Sequence, residues 1–205
     1  MEARANLTAL FEAALEAVEP ARLTRKALKK AGIRRALSRA RRVGVFAVGK
    51  AAAGMALGAL SELGRRDCLV VLPRGHSAAG LPRSCVAFAS HPEPDATSAR
   101  AARRALRFFE GFGEGDALLC LVSGGASSLL ALPRPGVTLA EKKRAVRALA
   151  RRGASILAVN RLRTSLSAVK GGRLGRATRA CLVTLVLSDV PGDRAAAVGS
   201  GPTVR

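Results

Sequence analysis

Five short apolar runs punctuate the chain: VGVFAV at 43–48, CLVVL at 68–72, CVAFAS at 85–90, ALLCLV at 117–122 and CLVTLVLS at 181–188. Each is continuous instead of alternating, the pattern of strands covered on both faces. The segments between them carry helical spacing. Leu7, Leu10, Phe11, Ala14, Leu15 and Val18 recur at intervals of three and four, and Pro20 interrupts them. A basic helical stretch is predicted from Ala21 to Gly32, and a small-residue helix over AAAGMALGALSEL. A further helix starts at Asp95, with Thr97 and Ser98 as alternative caps, and carries Ala99, Ala102, Leu106 and Phe109. Thr138 and Glu141 form a T-x-x-E capping box for a helix running to about Arg152. Another helix is predicted over 155–169, before GGRLG ends it. Strands alternating with helices predict an α/β fold, three-layer αβα, with a mostly parallel sheet and helices on both faces. Ligands of such folds sit at the carboxyl ends of the strands. That selects four loops: Gly49–Lys50, His91–Pro92, 123–128 and 188–193.

Length and composition narrow the class. The 205 residues suit one domain spanning 1–205. A chain of this size buries roughly 70% of its unfolded surface, so it needs no disulfide or structural metal to fold. No apolar run approaches the roughly 20 residues that cross a bilayer, and the N-terminus lacks the pattern of a secretory signal. Cys68, Cys85, Cys120 and Cys181 each lie in or beside an apolar run, with no CxxC pair. They are expected to be buried, reduced thiols of a cytoplasmic protein, without a zinc site. The net charge of +21 attracts polyanions. However, there is no Trp or Tyr and there are only six Phe to stack on bases, and the basic residues are scattered. Any nucleic-acid binding is therefore expected to be non-specific.

The strand-end loops carry the candidate chemistry. GVFAVGKA at 44–51 lacks the hydroxyl residue that follows the lysine of a P-loop, and its first glycine falls inside the strand. No G-x-G-x-x-G follows that strand, which disfavours a dinucleotide-binding dehydrogenase. Gly49 and Lys50 nevertheless end a strand and open a helix, where backbone N–H groups and a lysine charge meet an anion; the plainer alternative is a solvated lysine. In SGGASS, two glycines allow a phosphate close to the backbone, and the hydroxyls add donors. SDVPGD places Asp189 and Asp193 on one turn, to ligate Mg²⁺, to accept a hydroxyl proton, or simply to form the turn. HPEPD reads as a rigid loop and helix cap. Asn160, Arg163 and Ser167 are spaced to share one polar face, and Lys170-Gly171-Gly172 offers a further anion contact.

VGKAAAGMA, HPEPD, LVSGGASSLLALP, N-x-x-R-x-x-x-S with KGGRL, and LSDVPGD followed by GSGPTV occur in this order. With them the chain resembles the N-terminal (DUF4147) domain of the glycerate 2-kinase family, sometimes labelled hydroxypyruvate reductase, from about Leu7 to Val204. The resemblance implies a Rossmann-like αβα domain that phosphorylates the 2-hydroxyl of D-glycerate using ATP and Mg²⁺, in a cleft shared with a C-terminal MOFRL domain. It implies that Lys50 is the active-site lysine, that Gly49, Ser123, Gly124, Gly125 and Ser127 hold phosphate, and that Asn160, Arg163 and Lys170 face the substrate. Asp189 would accept the hydroxyl proton or, with Asp193, hold the metal. Three departures stand out. Ala126 replaces the third glycine of the family's SGGGS and is expected to strain the loop if that position needs a positive φ. Thr164 and Ser165 replace the Lys and His of R-K-H-L-S, and GSGPT replaces A-S-G-P-T. The second domain, with the basic residue it contributes, is not in this sequence. The chain is expected to be half of an enzyme, impaired unless a separate chain supplies the other half. The alternatives are an inactive remnant that only binds anions, or a basic nucleic-acid binder. An uncovered apolar surface and self-association are expected.

Overall fold

A computed structural model describes residues 2–190 and 192–204; Pro191, in the SDVPGD turn, lies outside the described residues. The five apolar runs form strands β1 (Val43–Val48), β2 (Asp67–Pro73), β3 (Val86–Ala89), β4 (Ala117–Ser123) and β5 (Cys181–Leu187). They pair in parallel throughout, in the order β3-β2-β1-β4-β5. The chain leaves β1 toward β2 on one side and returns to β4 on the other. Their carboxyl ends therefore diverge into a crevice, the usual ligand position in open parallel sheets.

Alternate residues of each strand feed two separate cores. Phe46, Val48, Leu118, Cys120 and Val122 face one side, where Phe109 meets Phe46 edge to face at 5.1 Å. Val45, Ala47, Leu119 and Leu121 face the other. The first face is covered by α5 (Ala96–Glu110) and α6 (Ala126–Leu129), the second by α2 (Pro20–Leu28), α3 (Ala31–Ser38) and α4 (Ala52–Leu63). Helices α7 (Leu139–Arg151) and α8 (Ile156–Ser165) pack on each other. Helix α1 (Glu2–Ala17) carries the first apolar stripe, and Leu7, Leu10, Phe11, Leu15 and Val18 are all exposed. Among the described residues, no helix is long and apolar enough to cross a membrane.

Several expectations are corrected. The stretch from Ala21 to Gly32 is two helices, because the chain turns at Lys29–Lys30. The helix predicted to reach Val169 stops at Ser165, and Ser167 is a buried group that donates to the Leu132 carbonyl at 3.3 Å. Its polar face is thus not shared with Asn160 and Arg163. Cys68 and Cys85 are joined as a disulfide, with Cα atoms 5.4 Å apart, and Cys181 is exposed. Only Cys120 matches the expected buried thiol, and burial pushes its pKa up to about 12.

Both expected caps form. Asp95 accepts from the Thr97 amide at 2.8 Å and the Ser98 amide at 3.4 Å, while Ser98 Oγ takes the Asp95 amide at 3.3 Å. Asp95→Ala is expected to cost about 1 kcal/mol in urea unfolding at neutral pH. The Thr97 hydroxyl, then the capped amides and Arg74, hold the Asp95 carboxyl below its usual range. The contribution is therefore present above the ordinary aspartate pKa. It is lost as pH falls through the lower folded value, so the mutant's deficit should shrink in acid.

Candidate active site at the strand ends

Four loops converge where β1 and β4 part. Gly49 leaves β1 with φ 127°, and its amide donates to Val71 O at 3.2 Å. The Lys50 amide donates to Gly124 O at 2.9 Å, leaving the Lys50 side chain exposed. Ser123 is buried; its Oγ accepts the Ala51 amide at 3.1 Å and donates to Val48 O at 3.4 Å. That hydroxyl, expected on a phosphate, holds the ends of β1 and β4 together. A Cβ on Gly124 would land on the Asp189 carboxylate. A Cβ on Gly125 would lie 3.1 Å from His91 Nε2 and 3.3 Å from Lys50 Cγ. Gly124 and Gly125 are thus the contact points of the loops after β1, β3, β4 and β5. The positive φ falls on Gly125, at 87°. Ala126 opens α6 without a positive φ, so the condition under which it would strain the loop does not arise.

Asp189 and Asp193 are both exposed. No group of three or more His, Cys, Asp or Glu among the described residues could hold a metal. A Mg²⁺ here would rest on one or two carboxylates plus the oxygens of a bound phosphate, which is its usual manner of binding. The exposed Asp189 and Asp193 side chains fit that requirement.

Beside Gly125 a cavity of about 300 Å³ opens between the β4 loop, α7 and α8, lined by His91, Ser127, Lys142, Arg163 and Lys170 among others. That volume is at the lower end of ligand cavities, roughly 300–1,000 Å³. Lys50, Asp189 and Asn160 do not line it. Lys170 is only 2% exposed, and its Nζ donates to both Ser127 O and Ser127 Oγ. Ser127 Oγ in turn shares a 3.0 Å hydrogen bond with Ser200 Oγ. Burial, then Lys142 and Arg163, lower the Lys170 pKa well below the lysine range. Arg163 donates from Nη1 to Asn160 Oδ1 at 3.1 Å, so Asn160 orients the arginine. Arg173 donates to Thr164 O at 2.9 Å and Lys170 O at 3.0 Å. Thr164 thus contributes its backbone there, and Ser165 faces solvent.

Two residues escaped the sequence reading as site groups. Lys142 is 5% exposed, and its Nζ has no hydrogen-bond partner among the described residues. Burial, then Arg163 and Arg173, lower its pKa to about 8. The signal was present: Lys142 stands three residues after Leu139 and four before Val146, on the apolar stripe of α7. His91, expected only to stiffen a loop, lines the cavity. Burial first, then Lys50 and His76, lower its pKa from the usual 6.5, so it is mostly neutral at pH 7.

An all-parallel sheet with a glycine-rich strand-end loop beside a small cavity lined by Lys142, Arg163 and Lys170 defines an open α/β domain with its crevice at the strand ends. More narrowly, residues 6–205 match the domain of unknown function DUF4147, and the chain belongs to that family. It is 40% identical over 196 residues to the D-glycerate 2-kinase of Thermotoga maritima, covering 94% of this chain and 45% of that one. It is 39% identical over 218 residues to human glycerate kinase, covering 95% and 42%. The crystal structure of Thermotoga maritima glycerate kinase superimposes with a TM-score of 0.79 at 39% identity, over 96% of this chain and 48% of that one. The chain thus spans about half the length of the relatives it matches.

Proposed function

We propose that this chain is the phosphate- and acid-binding half of a glycerate kinase, which transfers a phosphoryl group from ATP to the 2-hydroxyl of D-glycerate. The observation that carries the reading is the meeting of Lys50, His91 and Asp189 at Gly124 and Gly125, beside a cationic cavity of a size for a small acid. The close relationship to glycerate kinases supports it. Residues 1–205 form the proposed N-terminal domain. The facing half of the cleft belongs to a second domain, on this or a separate polypeptide.

Phosphoryl transfer depends mainly on positioning and charge stabilisation. In this reading, Gly124 and Gly125 let phosphate oxygens approach the backbone, and Lys50 brings a full charge to them. Asp189, with Asp193 in the same turn, would hold Mg²⁺ with the nucleotide; the ion's chemistry is charge neutralisation on the phosphate oxygens. Arg163 and Lys170 hold the acid. Asp189, where it does not hold the ion, or His91, its pKa lowered from 6.5, is the group at the seam to accept the hydroxyl proton. Ser123 and Gly49 shape the crevice instead of touching ligand.

Isothermal titration of Mg²⁺–ATP near physiological salt tests this. Saturable binding is expected, weakened roughly 10- to 100-fold in Lys50→Ala, as for loss of a charged hydrogen bond of about 1.5–3 kcal/mol. Equal affinity in the mutant would remove Lys50 from the phosphate site.

A further inference from the structure

The cavity beside Gly125 holds an imbalance of charge. At its mouth, Glu93 meets Lys143 at 3.2 Å and Arg147 at 2.7 Å, so those two cations are already paired. Lys170 and Arg163 are tied to Ser127 and Asn160, both neutral groups. Lys142 has no partner at all among the described residues, although it is 95% buried by its 5% exposure. No carboxylate other than Glu93 lines the cavity. A buried ammonium without a counter-charge is disfavoured relative to a paired one. Such a group is kept where a ligand supplies the missing charge.

The position of this cavity divides the site in two. Lys50 and Asp189 lie against Gly125 and Gly124 but do not line the cavity, whereas Lys142, Arg163 and Lys170 do. His91 touches both parts, lining the cavity and lying against Gly125 next to Lys50.

We propose that Lys142, with Arg163 and Lys170, forms a carboxylate seat that holds a small 2-hydroxy acid by its acid end and presents its hydroxyl at Gly125, toward Lys50 and Asp189. The identity of the acid as glycerate rests on the kinase reading above; the carboxylate seat itself rests on the unpartnered lysine and the cavity. In this arrangement Lys142 is a specificity residue, not a phosphate ligand. Alcohols without a carboxylate are rejected because they leave its charge unpaired.

Titrations of D-glycerate, glycerol and inorganic phosphate into the full chain test the seat, with Mg²⁺–ATP titrated separately. D-glycerate is expected to bind and glycerol not to bind. Lys142→Met should weaken D-glycerate at least tenfold while leaving Mg²⁺–ATP within twofold. Removing an unpaired buried charge should also leave the mutant folded, read by circular dichroism.

A second readout needs no mutant. At pH 8.5, Lys142 is largely neutral in the free protein, and a bound carboxylate raises its pKa. D-glycerate binding should then take up more than half a proton, measured by repeating the titration in buffers of different ionisation enthalpy. Uptake by Lys142 itself should vanish near pH 6, where it is already protonated; any uptake that remains there belongs to His91 or Lys170. The groups facing Lys142 are Arg163 on α8 and Arg173 and Lys170 beyond it, with His91 across the cavity. His91, its pKa lowered from 6.5, is neutral at pH 8.5. Lys170 is the other group able to take up a proton, so any uptake surviving in Lys142→Met belongs to it.

Unchanged D-glycerate affinity in Lys142→Met overturns the proposal, as does phosphate binding with no D-glycerate binding. Absent Mg²⁺–ATP binding, with D-glycerate bound and lost in Lys142→Met, would leave the seat standing and sink the kinase reading instead.

Discussion

Gly49→Ala is expected to destabilise the fold by about 3 kcal/mol or more, a large part of a typical total of about 5–15 kcal/mol. Two independent causes combine. At φ 127° the residue lies where side chains rarely go. A Cβ there would also land on Ser123 Oγ and stand 2.6 Å from the Ser123 carbonyl oxygen. Neither group can move freely, because Ser123 Oγ bridges the Ala51 amide and the Val48 carbonyl, and Ser123 ends a strand that is buried along its whole length. Urea unfolding should show a lower midpoint with an unchanged slope. Gly136→Ala is the control: φ is 81° but nothing lies within 4 Å, so only the backbone cost of about 1 kcal/mol is expected. Equal losses in the two mutants would mean that β1 and β4 do not approach as closely as described.

The contrast between these glycines marks what sequence can convey. Strands β1 and β4 were legible because a strand covered on both faces must be apolar at every position, and 43–48 and 117–122 are; the edge strands β3 and β5 are less covered but remain continuous apolar runs. Asp95 and the Thr138–Glu141 pair were legible because capping is local chemistry at fixed spacing. The strand-end rule likewise selected Lys50, Gly124, Gly125 and Asp189 in advance, and the structure brings their loops together. What pattern could not supply was long-range pairing. Ser123 reads as a phosphate donor in sequence, but its hydroxyl donates to Val48 O across 75 residues and accepts the Ala51 amide. Cys68 and Cys85 looked like separate thiols, because only the parallel pairing of β2 with β3 brings them together. Lys142 was passed over as one more cation in a chain of 35. Its place on an apolar stripe gave the clue, and the cavity it faces gave the meaning.

The same limit governs the departure at Ala126. Ala126 would strain the loop only at a positive φ, which falls on Gly125 instead, and its methyl stands over Gly199, where a Cβ would be 2.8 Å away. Gly199 is the residue that replaces the first alanine of A-S-G-P-T. These two positions, at which the chain departs from the resemblance's motifs, therefore face each other, with one methyl in the contact. The contact lies under the site, since Ser127 follows Ala126 and shares a hydrogen bond with Ser200. Gly199→Ala alone puts two methyls in one space. It also places alanine at φ 61°, which together should cost about 2–4 kcal/mol. Ala126→Gly alone should cost about 1 kcal/mol, through the lost helix propensity and the buried methyl. The double mutant restores one methyl to the contact. It should recover about 1–3 kcal/mol relative to the sum of the singles, the range found for residues in direct contact. Urea unfolding of the four proteins reads the coupling. Additivity to within about 0.5 kcal/mol would show that the pairing is coincidental and that Ala126 must be accommodated in some other way.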